Sequence, residues 1–394
     1  MNKYVLRIIC VCIYLLMWSN TYASFFYVDG FRYMENHSSG NRSVTLYDIP
    51  YKQEVVIIPS KVTYEGITYT VNKIELSLRH RPSDNHYRNI SILKIPESIE
   101  DIQLNGMYTG GRDDVSYFLG EWLTNLESII VDEYNLRYKS INGVLYTKDG
   151  KQLLMCPCKN TSNEVLTTVE EISENAFYHS ILKRVLLPES IKKIGKRAFF
   201  GSSLESIKIP DGITKIEDET FAYANLEKIE LPPSLTKIGN EAFKYCQLKE
   251  INFPATLNTI GSFAFEYNKF TTLNFPKSIS SIGEKAFREC RLIEKIFCQW
   301  DVPIPTTPTI FPDNVISSAT LYVPYGSKTA YERALDSCWG NFWNIEEYDN
   351  SGIENVIIDN ETDRYRIYDL YGRILKEPIS NCLYIINGKK IVWK

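Results

Sequence analysis

The sequence predicts a strand-dominated α/β solenoid in which short turns of chain stack on each other, followed by a small antiparallel β module. The main observation is a repeat of 22 residues between 172 and 287. The phenylalanine column contains Phe177, Phe199, Phe221, Phe243, Phe265 and Phe287. Two further columns keep this step, namely Pro188, Pro210, Pro232, Pro254 and Pro276, and Ile172, Ile194, Ile216, Ile238, Ile260 and Ile282. Because a turn of this size cannot bury its own apolar face, each turn must stack on the next one.

Each turn has three predicted segments. In Leu-x-x-Ile-x-Leu-Pro, apolar and polar residues alternate, which predicts a short strand with one buried face that ends at the proline. Ser-Leu-x-x-Ile-Gly adds a second apolar pair, and its glycine is expected to permit a turn with positive φ. This glycine column contains Gly195, Gly239, Gly261 and Gly283. The following Ala-Phe segment is predicted to form one helical turn that places the phenylalanine in the core.

The repeat resembles the BspA-like leucine-rich repeats, whose turns read approximately LxxIxLPxSLxxIGxxAFxxC. Cys246 and Cys290 occupy the position where that family has an occasional cysteine. The resemblance implies a right-handed solenoid with a parallel sheet on its concave side, in a bacterial cell-surface or secreted protein. Members of the family have been associated with adhesion, so it implies binding to an extracellular or host protein.

The N-terminal region has the composition of a secretory signal. Lys3 and Arg7 precede an apolar run from Ile8 to Trp18, and Ala23 offers a small residue at a cleavage point. The run is shorter than the roughly 20 residues that span a membrane. The sequence therefore predicts a signal peptide over 1–23 and export, with an uncleaved anchor as the alternative.

The next segments are predicted to form a cap and the repeats. Alternating apolar residues within 24–89 predict an N-terminal β cap of two or three strands. Repeats are predicted over 90–298, with the regular register from 166 onward. The polar, glycine-rich stretch 105–120 is predicted to be an inserted loop. A hairpin is predicted with its turn at Asn142-Gly143, followed by a second turn at 148–150.

A C-terminal cap is predicted over 299–350. Proline and threonine within 302–312 predict a covering loop rather than a further turn. A last strand is predicted at 321–324, followed by a helix over 327–335 with Ser327 as its cap. Trp339, Phe342 and Trp343 are expected to close the apolar end of the stack, with an aromatic platform for sugars as the alternative.

Residues 351–394 are predicted to form the small antiparallel β module. Short alternating strands surround turns at Tyr371-Gly372 and Asn387-Gly388. The module resembles the C-terminal sorting domains of the type IX secretion route, which implies export across the outer membrane and association with it. A shortened β tail retained for stability is the alternative.

Composition and motifs favour a binding protein over an enzyme. The formal net charge is −4 and the chain lacks a basic block, so nucleic acid is not an expected partner. The four histidines form no metal-binding motif, and no nucleophile or phosphate-loop motif is present. Neither a metal nor a cofactor is predicted. Cys246 and Cys290 are expected to be small buried side chains rather than a disulfide.

Candidate binding residues occupy the positions that the repeat leaves free. The outward strand columns include Arg184, Lys228 and Glu250, and Tyr223, Tyr245 and Tyr267 form a column with the same 22-residue step. At the spacing of neighbouring strands, these rings could form an exposed aromatic ladder. Stacking between turns without a ligand is the alternative. The sequence thus predicts an exported adhesin or protein-interaction scaffold, and a glycan-binding protein in nutrient capture as the second hypothesis.

Overall fold

The structure is a computed structural model that describes most of the chain after the predicted signal peptide. The described residues are 25–36, 42–50, 52–76, 89–103, 105–107, 116–118, 123–348, 367–368, 374–375, 383–386 and 389–392. The predicted signal peptide, 1–23, lies outside them. The chain divides into two compact units, 1–247 and 248–394. Both are dominated by short parallel strands, which confirms the predicted solenoid. In the described part of the chain, no helix has the length and apolar character needed to cross a membrane.

The first unit begins with a covering sheet and continues as stacked turns. Its strands are β1 (Phe25–Val28), β2 (Phe31–Glu35), β3 (Ser43–Asp48), β4 (Val55–Ile57), β5 (Lys61–Tyr64), β6 (Ile67–Glu75), β7 (Ile92–Ile95), β8 (Asp101–Gln103), β9 (Asn105–Met107), β10 (Ser116–Phe118), β11 (Ser128–Val131), β12 (Tyr138–Ile141), β13 (Val144–Thr147), β14 (Gln152–Met155), β15 (Glu171–Ile172), β16 (Lys193–Ile194), β17 (Ser206–Lys208), β18 (Lys215–Ile216), β19 (Lys228–Glu230) and β20 (Lys237–Ile238). The covering sheet has the order β1-β2-β3-β6-β5, with β8 beside β6. It contains more strands than the two or three that were predicted.

The strand that alternates apolar and polar residues forms the predicted parallel ladder. Strands β4, β7 and β11 pair in parallel, as do β17 and β19. Because β4 pairs with β7, it belongs to the stacked turns as well as to the predicted cap region. The hairpin β12-β13 is confirmed, with positive φ at both Asn142 and Gly143. Strands β9 and β10 also form an antiparallel pair, so the predicted loop over 105–120 is wrong for those residues.

Parallel strands also form in the Ser-Leu-x-x-Ile-Gly segments, in two further sheets. Strands β15 and β16 pair in parallel beside β14 in one sheet, and β18 pairs with β20 in the other. Strands β15, β16, β18 and β20 have two residues each. The sequence indicated an apolar pair here but not a strand, because a two-residue strand is too short to show alternation.

The predicted helical turn at the Ala-Phe segment is wrong. Alternate backbone N–H groups of the segment donate to the next turn of the solenoid, and those between them, such as that of Phe200, donate to a carbonyl three residues earlier. The Phe199 N–H donates to the Thr220 carbonyl, and the Gly201 N–H to the Ala222 carbonyl, both at 2.8 Å. Left-handed backbone conformations on both sides of the phenylalanine, such as Arg197 with φ +55°, aim these groups along the stack.

The phenylalanine column forms the buried centre of each unit, as predicted. In the first unit, the rings of Phe177, Phe199, Phe221 and Phe243 are stacked at centroid distances of 4.8 to 5.3 Å. All four side chains are at most 2% exposed. In the second unit, the Phe287 ring lies 5.3 Å from that of Phe265.

The glycine column exists for a different reason from the predicted one. None of Gly195, Gly239, Gly261 and Gly283 has a positive φ. The glycine instead allows two turns to approach closely. A Cβ atom on Gly195 would lie 2.5 Å from the Glu174 nitrogen, and one on Gly283 would lie 2.4 Å from the Ser262 nitrogen. Both contacts are with backbone, which cannot move aside as a flexible side chain can.

The second unit continues the turns and ends in a separate sheet. Its elements are β21 (Thr259–Ile260), β22 (Thr272–Phe275), β23 (Ser281–Ile282), β24 (Lys295–Cys298), α1 (Asp313–Ser318), β25 (Thr320–Pro324), α2 (Lys328–Glu332), β26 (Asn344–Tyr348), β27 (Ile367–Tyr368), β28 (Ile374–Leu375), β29 (Leu383–Ile386) and β30 (Lys389–Val392). Strands β22, β24, β25 and β26 form a parallel sheet in that order. The strand predicted to be last, β25, is therefore followed by one more parallel strand.

Several details of the predicted C-terminal cap are wrong. Phe311 stacks on Phe287 at 5.5 Å, so part of the predicted covering loop continues the phenylalanine column. The helix α2 is shorter than predicted, and Ser327 makes no side-chain hydrogen bond that caps it. Trp339 and Phe342 are buried as expected, but Trp343 is 78% exposed and does not close the stack.

The C-terminal module is an antiparallel sheet with the order β28-β27-β29-β30. This confirms the prediction of a small antiparallel β module. Its predicted turns at 371–372 and 387–388 lie outside the described residues.

Candidate binding surfaces

The predicted tyrosine column is exposed to solvent. Tyr223, Tyr245 and Tyr267 are 46%, 38% and 41% exposed, which is high for rings that follow a buried phenylalanine. All three residues have a left-handed backbone, with φ between +55° and +60°. The Tyr223 N–H donates to the Lys244 carbonyl at 2.7 Å, so the position of this residue is fixed by the stack.

The two tyrosines of the first unit also stack on each other. The Tyr223 and Tyr245 ring centroids are 5.0 Å apart, and the planes differ by 11°. Stacking between turns and exposure to solvent therefore occur together. The ring faces that meet in this stack cover each other. Tyr267 lies in the second unit.

The aromatic contacts of the first unit extend beyond the predicted column to the half-buried Phe200 and the buried Tyr178. Phe200 packs against Tyr223 at 5.2 Å, and Tyr178 stacks on Phe200 at 5.4 Å. The Arg197 guanidinium lies 4.4 Å from the Phe200 centroid, within the range of a cation–π contact. We call Tyr178, Phe200, Tyr223 and Tyr245 the aromatic strip. The sequence did not indicate its first two members, because they stand one column away from the tyrosines.

The predicted strand residues Arg184 and Lys228 lie in one row of the first unit. Ser206 pairs with Arg184 of the preceding turn on one side and with Lys228 of the following turn on the other. Both side chains are exposed, and neither has an ion-pair partner among the described residues. Neighbouring lysines differ, because Lys183 pairs with Glu205 and Lys208 with Glu189. Glu250, the third predicted strand residue, is exposed in the second unit.

An aromatic cluster on the second unit was missed in the sequence. Phe297 of β24 and Tyr322 of β25 are stacked at 4.5 Å, and Tyr348 packs edge-on against Phe297 at 5.7 Å. Asn274 and Glu346 continue the same row on the flanking strands. Burial raises the pKa of Tyr348 to about 12, so its phenol stays protonated at neutral pH. The missed signal is an aromatic residue on the outward position of consecutive strands. It was hidden because Asn274 pairs with Phe297, 23 residues later, whereas the regular repeat has a step of 22.

The cysteines have the properties expected of packing residues. Cys246 and Cys290 are fully buried, and their thiols lie 3.1 Å from the Phe221 and Phe265 carbonyls, to which they donate. Burial raises the pKa of Cys290 to about 12. None of the six cysteines in the described part of the chain forms a disulfide. In that same part, no group of three or more histidine, cysteine, aspartate or glutamate side chains could hold a metal ion.

Comparisons with known proteins agree with the repeat. The family of BspA type leucine rich repeat regions matches six copies over 151–257 and 214–338. A leucine-rich repeat protein from Bacteroides ovatus is 21% identical and has a TM-score of 0.43. The match covers 82% of this chain and 76% of the Bacteroides ovatus chain. A leucine-rich repeat protein from Eubacterium ventriosum is 20% identical and has a TM-score of 0.41. The match covers 66% of this chain and 93% of the Eubacterium ventriosum chain. A leucine rich cell surface protein from Faecalibacterium prausnitzii is 17% identical and has a TM-score of 0.31. The match covers 84% of this chain and 96% of the Faecalibacterium prausnitzii chain. No curated protein matches the sequence.

Proposed function

We propose that this protein is an exported binding protein of the bacterial cell surface that captures a protein partner through the aromatic strip. The observation that carries the proposal is the pair of stacked, half-exposed rings of Tyr223 and Tyr245 on a rigid buried core. Tyrosine and arginine are over-represented among the residues that dominate protein interfaces. The strip contains three tyrosines, and Arg197 packs over its Phe200 ring. The match to BspA type repeats supports a binding scaffold, since proteins with such repeats generally act without catalysis.

The predicted partner is an extracellular or host protein. The strip offers ring edges and hydroxyl groups at a fixed spacing, which suits a partner with both apolar and hydrogen-bonding surface. Arg184 and Lys228 add two cations without a carboxylate partner among the described residues, on a strand surface of the same unit. Acidic groups on the partner would be attracted to that row.

Removing the rings tests the proposal. The purified 24–394 fragment would be applied to an array of extracellular matrix proteins and glycans, alongside a variant with Tyr223→Ala and Tyr245→Ala. We expect saturable binding to a protein and about 30-fold weaker binding by the variant, equivalent to about 2 kcal/mol. Tyr134→Ala is the control, because Tyr134 is 74% exposed in the same unit but lies outside the strip.

A second double variant separates binding from folding. Tyr223→Phe and Tyr245→Phe preserve the stacked rings and remove only the hydroxyl groups. We expect it to retain the fold and to lose part of the affinity. Unchanged capture by the alanine variant, with a native circular dichroism spectrum, would exclude the strip as the binding surface.

Glycan binding in nutrient capture is the second candidate function. The cluster of Phe297, Tyr322 and Tyr348 supports it, because aromatic rings flanked by Asn274 and Glu346 combine apolar surface with hydrogen-bonding groups. On the same array, binding to glycans alone, abolished by Tyr322→Ala, would favour this function over capture of a protein.

We also propose that residues 1–23 direct export and that the C-terminal module acts as a type IX sorting domain. The proposal rests on the sequence of the two ends and on the antiparallel sheet formed by β27 to β30. In a host with that secretion route, deletion of 351–394 should retain the protein in the periplasm. Protease treatment of intact cells measures this, and equal surface cleavage of the full and shortened chains would refute the role of the module.

A further inference from the structure

A cleft of about 360 Å³ lies in the first unit, at the end of the aromatic strip. Its lining residues are Thr124, Cys158, Lys159, Tyr178, His179 and Ile181. This volume falls at the lower end of the range for small-molecule sites in proteins, roughly 300–1,000 Å³.

His179 is held in the cleft by the repeat. It occupies the column of Tyr223 and shares its left-handed backbone, with φ +51°. The next residue of this column is Gly201, and its lack of a side chain makes room for the imidazole. A Cβ atom on Gly201 would lie 2.7 Å from His179 Cε1 and 2.9 Å from Nδ1. The Tyr178 ring supports the imidazole edge-on at 4.4 Å.

Apart from Lys159, the side chains that line the cleft are uncharged at neutral pH, and they include the apolar Ile181 and Tyr178. Ile181 is 39% exposed, and Tyr178 is buried beneath the imidazole. The Cys158 thiol donates to the Tyr178 carbonyl at 3.4 Å. Burial raises the pKa of Cys158 to about 11, so this side chain stays a neutral thiol.

The charge at the rim is positive and unbalanced. Lys159 is exposed, no carboxylate lines the cleft, and no described residue forms an ion pair with Lys159. Partial burial and the nearby Arg197 guanidinium lower the pKa of His179, so the imidazole is neutral at pH 7. Arg197 itself faces Glu219, with Nε 3.5 Å from the carboxylate. At neutral pH, the positive charge among the groups that line the cleft is therefore that of Lys159, and it would attract an anion.

We propose that this cleft binds a small carboxylic acid with an apolar body. The apolar part would pack against Ile181 and Tyr178, and the carboxylate would accept hydrogen bonds from the Lys159 ammonium and the His179 imidazole. Lysine–carboxylate hydrogen bonds are stronger than neutral ones, which favours an acid over a neutral analogue of the same shape. Tyr178 belongs to both the cleft and the aromatic strip, but the proposal does not require that the strip captures a protein.

The imidazole itself can report binding. The chain has four histidines, so labelling them with carbon-13 at Cε1 gives a simple spectrum in which the variant His179→Asn identifies one signal. Titration of the 24–394 fragment with 3-phenylpropionate should shift that signal saturably, with a Kd on the order of 1 mM for so small a probe. The pKa of His179 should rise in the complex, because the bound carboxylate favours the imidazolium form.

Two comparisons decide whether charge is recognised. The neutral amide, 3-phenylpropionamide, should bind about tenfold more weakly than the acid. The Lys159→Gln variant should bind the acid as weakly as the native protein binds the amide, and its affinity for the amide should be unchanged. Lys183→Gln is the matched control, since Lys183 is an exposed lysine of the same unit outside the cleft. The Lys183→Gln variant should have the native affinity for both the acid and the amide.

The remaining outcomes overturn the proposal. Absence of a saturable shift of the His179 signal would exclude an acid site, and equal binding of acid and amide would exclude recognition of the carboxylate. A peptide ending in phenylalanine with a free carboxylate is the last probe. If the peptide binds and 3-phenylpropionate does not, the cleft recognises a polypeptide terminus and the small-acid assignment is wrong.

Discussion

Replacing Phe221 with alanine is expected to lower the free energy of unfolding by about 3–5 kcal/mol. The side chain is fully buried, and its ring is stacked between Phe199 at 5.2 Å and Phe243 at 5.3 Å. Truncation removes the apolar surface and leaves a cavity in the middle of the column. The neighbouring turns cannot collapse into it, because backbone hydrogen bonds fix their spacing, including one of 2.8 Å from the Phe221 N–H to Ala242. Urea unfolding followed by circular dichroism measures the loss.

A matched variant separates burial from ring stacking. Phe221→Leu fills most of the space but removes the aromatic contacts, so its loss should be smaller, about 1–2 kcal/mol. Tyr134→Ala at an exposed site should change stability by less than about 0.5 kcal/mol. A Phe221→Ala variant with the unfolding midpoint of the native chain would contradict the assignment of this column to the core.

The parts of the fold that could be predicted are those with a long periodic signal. The 22-residue step places a phenylalanine at the same point of every turn, and only stacking can bury such a column. The strand before each proline alternates over several residues, which is enough to show one buried face. The turn at Asn142-Gly143 could also be predicted, because both residues tolerate the positive φ of that hairpin.

The parts that could not be predicted depend on contacts between turns. Arg197 and Tyr223 adopt a left-handed backbone at a cost of roughly 1–2 kcal/mol each, which local preference alone would not favour. Hydrogen bonds from Phe199 and Tyr223 to the following turns offset this cost. The sequence pattern predicts a positive φ at the glycine column, whereas the observed constraint at Gly195 is that the atoms nearest to an added Cβ belong to the turn before. A single turn contains no information on either contact.

The candidate surfaces likewise include residues that could be predicted from the sequence and residues that could not. The tyrosine column could be predicted because it keeps the repeat step, but Tyr178 and Phe200 occupy a column that is otherwise not aromatic. The acid cleft could not be predicted at all. Cys158 and His179 fall on different columns, and the imidazole can occupy its position because Gly201 has no side chain.

Replacing Asn135 with alanine is expected to cost about 2–4 kcal/mol. The side chain is fully buried and uses its whole hydrogen-bonding capacity. Its Nδ2 donates to the carbonyls of Pro96 and Ile99 at 2.9 and 3.0 Å, and its Oδ1 accepts from the N–H groups of Arg137 and Tyr138 at 2.9 and 2.8 Å. The alanine variant removes the side-chain partner of these backbone groups where water has little access, and the Pro96 carbonyl keeps only a long bond of 3.4 Å from the Ile99 N–H.

The aspartate variant of the same residue tests whether the donors matter as much as the acceptor. Asn135→Asp keeps the oxygen that faces the two N–H groups, but at neutral pH it places a second oxygen against the Pro96 and Ile99 carbonyls. Buried next to these acceptors, the new carboxyl should have a raised pKa in the folded state, so the destabilisation should diminish as the pH falls through that pKa. Unfolding in urea at pH 7 and pH 5 measures this difference. Equal stability of the alanine variant and the native chain would show that these four hydrogen bonds do not stabilise the junction between the two turns.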